Sequence, residues 1–223
     1  MTFLYITRHG ETKWNLEGRF QGQQNSELTE RGYRQANNLG QVIDEENIDL
    51  IISSPLRRAR ETAKAACGSR RIPIIILDSL KELSLGEWEG QKLNELKNSE
   101  AEQYHLFWND PLRYKPRGGE SFQAMIQRAG QGLTEILKLA QGKRVLVVTH
   151  GMTLKAILHH LTGKSFNEII SQPVLRQTSI TKVRVSDIKA PIYQVDEIGG
   201  TKHLDSLSLH TAPVAVWEGQ NND

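Results

Sequence analysis

Residues 3–10 read Phe3-Leu4-Tyr5-Ile6-Thr7-Arg8-His9-Gly10, an apolar run that stops abruptly at an arginine, a histidine and a glycine. A strand wetted on one face alternates apolar and polar residues. This run does not, so it reads as a strand covered on both faces, as in a parallel sheet. Leu50 to Ser53, Ile72 to Leu77 and Val145 to Thr149 have the same character, and polar or glycine residues close each of them.

The segments between these runs have helical spacing. Phe122, Met125, Ile126, Ala129, Leu133, Ile136, Leu137 and Ala140 fall on one helix face, with Ser121 to cap its start and Gly142 to end it. Leu39, Val42 and Ile43 mark a helix that begins near Thr29. Pro55 suits the first turn of a helix carrying Arg57, Arg58 and Arg60, and Met152 to Leu161 form another that Gly163 stops. Ile180 to Val185 and Ile192 to Ile198 flank a short connection and predict an antiparallel hairpin at the sheet edge. The pattern is therefore α/β: a three-layer α/β/α sandwich with a mainly parallel sheet and an antiparallel edge strand. One domain is expected over residues 1–210, with a helical insertion at about 91–117 able to cover a site. Residues 211–223 are expected to form a loose C-terminal tail.

Composition narrows the function. The 223 residues are 38% hydrophobic and 24% charged, which suits a folded globular chain. A net charge of +2 lacks the basic surplus of a nucleic-acid binder, yet allows a local basic pocket for a small anion. Cys67 is the only cysteine, so no intrachain disulfide and no thiolate metal cage can form, and it reads as a small buried hydrophobe. No signal peptide and no apolar run of about 20 residues stand out, so neither a membrane span nor export is expected and the compartment is read as cytoplasmic.

Open parallel sheets bind ligands at the carboxyl ends of their strands. Those ends carry Arg8-His9-Gly10-Glu11, Ser53-Ser54-Pro55-Leu56-Arg57-Arg58, Lys81-Glu82-Leu83 and Thr149-His150-Gly151. Two histidines, two or three arginines and a carboxylate thus converge on one edge. Arginine forks match phosphate oxygens, and the glycines after the histidines let backbone N–H groups approach an anion. A neutral imidazole can attack phosphorus, and a carboxylic acid can protonate a departing alkoxide. No paired carboxylates suggest a magnesium site, so no metal and no cofactor is expected. His105, His159, His160, His203 and His210 have no metal-like grouping. Tyr104, Phe107 and Trp108 read as core ahead of substrate-lining residues, although the insertion's aromatics also suit apolar parts of a substrate.

The segment Leu4-Tyr5-Ile6-Thr7-Arg8-His9-Gly10-Glu11-Thr12-x-Trp14-Asn15 closely resembles the signature of the histidine phosphatase (phosphoglycerate mutase-like) superfamily. The likeness runs on through Gln21-Gly22, Leu28-Thr29-Glu30-x-Gly32, Ser53-Ser54-Pro55-Leu56-x-Arg58-Ala59-x-x-Thr62 and Leu83-x-Leu85-Gly86-x-Trp88-Glu89-Gly90. It ends with Gly118-Gly119-Glu120-Ser121 and Val147-Val148-Thr149-His150-Gly151. The resemblance implies that His9 becomes phosphohistidine, that Arg8, Arg58 and His150 form the phosphate pocket, and that Glu82 acts as acid and then as base. It also implies substrate contacts from Asn15, Gly10, Gln21, Gly22 and Gly151. Arg58 is preferred to Arg57 because it directly precedes Ala59 in the motif.

Within that resemblance the chain looks most like the bacterial broad-specificity phosphatases, because Glu82 is followed at once by Leu83-Ser84-Leu85-Gly86. The expected partner is a small phosphorylated metabolite bound by a monomer or homodimer. Two alternatives stand beside the phosphatase: a cofactor-dependent phosphoglycerate mutase, and a non-catalytic phosphate-ligand-binding protein on the same fold.

Overall fold

The computed structural model describes residues 1–187 and 190–207. The expected tail at 211–223 and His210 lie outside the described residues, as do Ile188 and Lys189 of the hairpin connection. Six strands form one sheet in the order β3-β2-β4-β1-β5-β6: β1 (Thr2–Arg8), β2 (Leu50–Ser53), β3 (Ile74–Ile76), β4 (Arg144–Thr149), β5 (Ile180–Val185) and β6 (Tyr193–Gly200). The first four pair in parallel, and β5 joins β1 antiparallel with β6 beyond it.

The continuous apolar runs are explained by a core on each face. Leu4 and Ile6 of β1, Leu50 and Ile52 of β2, and Val145 and Val147 of β4 join one cluster. Tyr5, Ile51, Leu146 and Val148, one residue out of phase, join the other. The second face is covered by α2 (Glu30–Glu45) and α3 (Arg57–Cys67), which buries Cys67 as expected. The first is covered by α6 (Phe122–Ala140) and α7 (Gly151–Thr162). The caps read from the sequence hold: Ser121 accepts from the Ala124 amide, Thr29 from that of Gly32, and Gly163 ends α7 in the left-handed conformation.

Several expectations need correction. β3 is three residues long and lies at the sheet edge, with Ile76 exposed, rather than spanning Ile72 to Leu77 with both faces covered. Pro73 has no N–H to give the ladder and accepts only through its carbonyl, from Ile51, so pairing starts one residue later. Pro55 does not enter the first turn of α3. Leu56 is the extended N-cap, and Pro55 precedes it.

Four short helices are not anticipated as separate elements or are only outlined by the sequence. α1 (Lys13–Leu16) follows β1; α4 (Leu93–Ser99) and α5 (Ala101–Asn109) fall inside the stretch read as helical; α8 (Phe166–Ile170) follows α7. Among the described residues no helix is long and apolar enough to cross a membrane.

The sheet order creates the site. β1 and β4 are neighbours with Arg8 opposite Thr149, and the His9 amide donates to the Thr149 carbonyl at 2.9 Å. The two histidines therefore leave adjacent strands at the same level. Their ring centroids are 5.3 Å apart. β2 ends beside them, where the Ser54 amide donates to the Val148 carbonyl at 3.0 Å and leads the chain into α3 with Arg58.

Candidate active site

His9 is buried, and its two ring nitrogens face opposite kinds of partner. Nδ1 lies 2.7 Å from the Gly10 carbonyl, which can only accept, so Nδ1 carries the proton. Nε2 receives a hydrogen bond from Arg58 Nε at 3.2 Å, so it presents a lone pair. Burial, then the Arg58 and Arg8 cations, hold the His9 pKa well below its ordinary range, outweighing the opposing effect of the Gly10 carbonyl. The imidazole is thus neutral, with its nucleophilic nitrogen on the arginine side.

Arg58 is buried to 1% exposure, whereas Arg57 points to solvent and pairs with Glu61 at 2.6 Å. The Arg58 fork spans two carbonyls, Gln24 through Nη1 and Gly22 through Nη2, both at 2.7 Å. Arg8 Nη1 donates to the Leu175 carbonyl at 3.1 Å, and its Nε has no partner among the described residues. Burial, opposed by Glu82, pulls each guanidinium pKa down to about 10, so both remain charged at neutral pH. His150 is fully buried; its Nε2 meets Ser54 Oγ at 2.7 Å and its Nδ1 has no partner among the described residues. Burial first, then Arg58, His9 and Arg8, lower its pKa well below the usual imidazole value.

Asn15 is oriented by local structure. Thr12 caps α1, and Asn15 Oδ1 accepts from both the Thr12 amide and hydroxyl at 3.0 Å, which leaves its Nδ2 unpartnered and buried. Gln21 Oε1 is likewise buried without a partner among the described residues. Arg8, His9, Asn15, Gln21, Gly22 and Arg58 line one narrow cavity of about 40 Å³ together with Glu82 and Gly151. Unpaired buried donors are costly in a native protein, and here two of them, on Arg8 and Asn15, line one cavity with the His9 imidazole. That donor set suits an anion.

Glu82 is the one carboxylate that lines this cavity among the described residues. Its Oε2 accepts from the Met152 amide at 3.1 Å. Its Oε1 accepts from the amides of Thr153 and Leu83, both at 3.0 Å, and from Thr153 Oγ1 at 3.2 Å. The first turn of α7 thus fixes the carboxylate. Glu11 is occupied elsewhere, accepting from Thr29 Oγ1 at 2.7 Å and facing Arg31 at 3.5 Å.

Similarity to known proteins agrees with this geometry. The profile of the histidine phosphatase superfamily (branch 1) matches residues 4–195. The chain belongs to the histidine phosphatase superfamily. It is 34% identical over 160 residues to the adenosylcobalamin/alpha-ribazole phosphatase of Escherichia coli (strain K12), covering 72% of this chain and 79% of that protein. It is 33% identical to a probable phosphoglycerate mutase, GpmB, of Erwinia tasmaniensis, over 94% of this chain and 98% of the relative. The solved structure of Bacillus stearothermophilus YhfR superposes with a TM-score of 0.86 at 36% identity, covering 92% of this chain and all of that one. The family and its named phosphatases place the enzyme among the phosphoric monoester hydrolases.

One expected site residue of this histidine phosphatase is placed differently from the sequence reading. The Gly10 amide donates to Thr62 Oγ1 at 2.9 Å and so does not offer itself to an anion. A Cβ at Gly10 would stand 2.6 Å from the Gly32 carbonyl oxygen, so glycine there serves the contact between the β1 loop and α2. The His150 ring stands beside that of His9, with their centroids 5.3 Å apart. Gly151 lines the cavity, and a Cβ there would sit 3.1 Å from Val174 Cγ1.

The apolar wall was largely invisible from the sequence. Phe20, Leu83, Leu85, Phe107, Met152 and Val174 come from five separate segments. Phe107 both lines the cavity and packs in an aromatic cluster with Phe20, Trp88, Trp108 and Tyr114, while Tyr104 packs against Phe20 and Trp108. Phe107 thus belongs to the core and also faces the cavity, so both readings of the insertion's aromatics apply to it.

Proposed function

We propose that the enzyme is a metal-independent phosphatase that hydrolyses small phosphate monoesters through a phosphohistidine on His9. The observation that carries this reading is the lone pair of His9 Nε2, held beside Arg58 in a buried site with unpaired donors on Arg8 and Asn15. In the first half-reaction Nε2 attacks phosphorus and the ester P–O bond breaks as the leaving oxygen takes a proton from Glu82. In the second, water attacks the phosphohistidine, Glu82 accepts the water's proton, and the N–P bond breaks to return the neutral imidazole. Arg8 and Arg58 stay charged throughout and neutralise the phosphoryl oxygens, a task that metal ions perform in many other phosphoryl-transfer enzymes.

A hydrolase is preferred to a mutase because the cavity offers one anion clamp. Among the described residues Arg19 is the only other cation lining it, and it is engaged with Glu17 at 2.6 Å and the Gly90 carbonyl at 2.8 Å. A mutase must hold an intermediate with two phosphates. Each missing charge-assisted contact costs roughly 1.5–3 kcal/mol, enough to let the intermediate escape. The GpmB relative favours the mutase reading and gives the comparison its purpose.

The test supplies 3-phosphoglycerate with a trace of 2,3-bisphosphoglycerate and EDTA, and follows 2-phosphoglycerate and free phosphate together. Phosphate release that survives chelation and far outruns isomer formation is expected, with similar release from other monoesters. Isomer formation outrunning phosphate release would make the enzyme a mutase. Loss of activity in EDTA with recovery in magnesium would remove the arginine account.

A further inference from the structure

We propose that Arg128, clamped by Glu120, is the positioning residue that sets Glu82 for proton transfer, an inference that rests on the reading of Glu82 as general acid and base. Glu82 lies on residues 81–85, which have no regular secondary structure between two 3-10 turns (Asp78–Leu80 and Gly86–Trp88). No ladder holds this backbone, so its carbonyls need other donors.

Arg128, a partly buried residue of α6, supplies them. Its Nη1 donates to the carbonyls of Ser79 at 2.9 Å and Lys81 at 2.7 Å, and Nη2 reaches that of Glu82 at 3.4 Å. One planar fork thus ties the approach to Glu82 at three points, which the compact ammonium of a lysine cannot reproduce.

The cation is itself oriented by Glu120. Nε donates to Oε1 at 2.8 Å and Nη2 to Oε2 at 2.7 Å, a bidentate pair that is mostly buried on both sides. Glu120 is also pinned through its backbone, since its amide donates to the Ser84 carbonyl at 2.8 Å. The two loops touch so closely that a Cβ at Gly119 would stand 2.5 Å from the Ser84 oxygen, and one at Gly86 2.0 Å from that of Arg117. The Gly118-Gly119-Glu120-Ser121 motif, which contributes no residue to the cavity lining, therefore acts on the acid loop from behind. Gln23 Nε2 and Thr153 Oγ1 complete the frame, at 3.0 Å to the Glu82 carbonyl and 2.6 Å to that of Lys81.

A displaced acid matters only when the leaving group needs a proton. The test therefore measures kcat and KM on p-nitrophenyl phosphate and on an alkyl phosphate for Arg128→Lys, Glu120→Gln, Glu82→Gln and the double variant Glu82→Gln/Arg128→Lys. A misplacement of about 1 Å costs on the order of 100-fold in rate. Arg128→Lys is thus expected to lower kcat for the alkyl ester by roughly 30–100-fold at unchanged KM, with the aryl ester within about threefold of wild type. On the alkyl ester the double variant is expected to be no slower than Glu82→Gln alone, because both changes remove one function. Equal losses on the two esters, losses that multiply in the double variant, or wild-type rates on both would overturn the proposal and assign Arg128 to stability alone. Glu120→Gln keeps the arginine in place and carries the same comparison if Arg128→Lys does not fold. Should Glu82→Gln itself fail to separate the two esters, the acid assignment falls first, and its failure is read directly from that control.

Discussion

Replacing His9 by alanine is expected to lower kcat by roughly 10³-fold or more while inorganic phosphate still binds, since removing a covalent nucleophile eliminates the reaction path rather than the site. Arg8, Arg58 and Asn15 keep their anchors outside His9: the Leu175 carbonyl, the carbonyls of Gly22 and Gln24, and the cap at Thr12. Steady-state kinetics with phosphate as a competitive inhibitor checks both halves. Retention of more than a few per cent of turnover would remove His9 from the role of nucleophile. The pH profile of the wild type carries the same information. Because burial and the two arginines depress the His9 pKa, the imidazole stays neutral as pH falls through the usual histidine range. The acid limb of kcat/KM is therefore not set by His9 near pH 6.5, and lies lower if His9 sets it.

Arg58→Met is expected to be nearly as damaging, for two separable reasons. The guanidinium faces the reacting nitrogen, and loss of one preorganised donor to developing charge typically costs about 10²–10³ in kcat. It also satisfies the Gly22 and Gln24 carbonyls, whose orphaning costs about 1–3 kcal/mol each if water does not replace it. A large fall in kcat with a lowered melting temperature is the expected result. Arg58→Lys is not expected to rescue, since a single ammonium cannot span both carbonyls and still face His9. Arg57→Ala serves as the contrast: Arg57 is exposed and pairs at the surface, so activity close to wild type is expected. Equal loss from Arg57 and Arg58 variants would contradict the assignment.

What could be read in advance divides along physical lines. β1, β2 and β4 were legible because a strand covered on both faces must be apolar at every position, and Leu4 to Ile6, Leu50 to Ile52 and Val145 to Val148 are. The same rule located His9 and His150, since polar residues that end such runs gather at one sheet edge. It failed for Ile72 to Leu77, where an equally apolar run lies at the edge and Pro73 removes a ladder donor. α1 was missed because four residues show no periodicity; the only available sign was Thr12 three residues before Asn15, a weak form of the capping box.

Contacts between loops far apart in sequence were beyond such reading. Gly10 appeared to be an anion-binding glycine because it follows a histidine, yet its lack of a side chain answers Gly32, on a different element. Val174 and Phe20 reach the cavity from loops with no chemical signature of their own. Arg128 sits in the middle of a helix whose spacing announced only its apolar face.

The central claim is a covalent phosphohistidine formed at one nitrogen of one residue. Rapid mixing with an aryl phosphate, quenching under alkaline denaturing conditions that preserve the N–P bond, and mass spectrometry of the digested chain test it most directly. A phosphate adduct on His9 at Nε2, formed in a burst and absent from the His9→Ala variant, is the predicted result. An adduct on another residue, or full turnover with no trapped phosphoenzyme and no oxygen-18 evidence for a double displacement, would contradict the account.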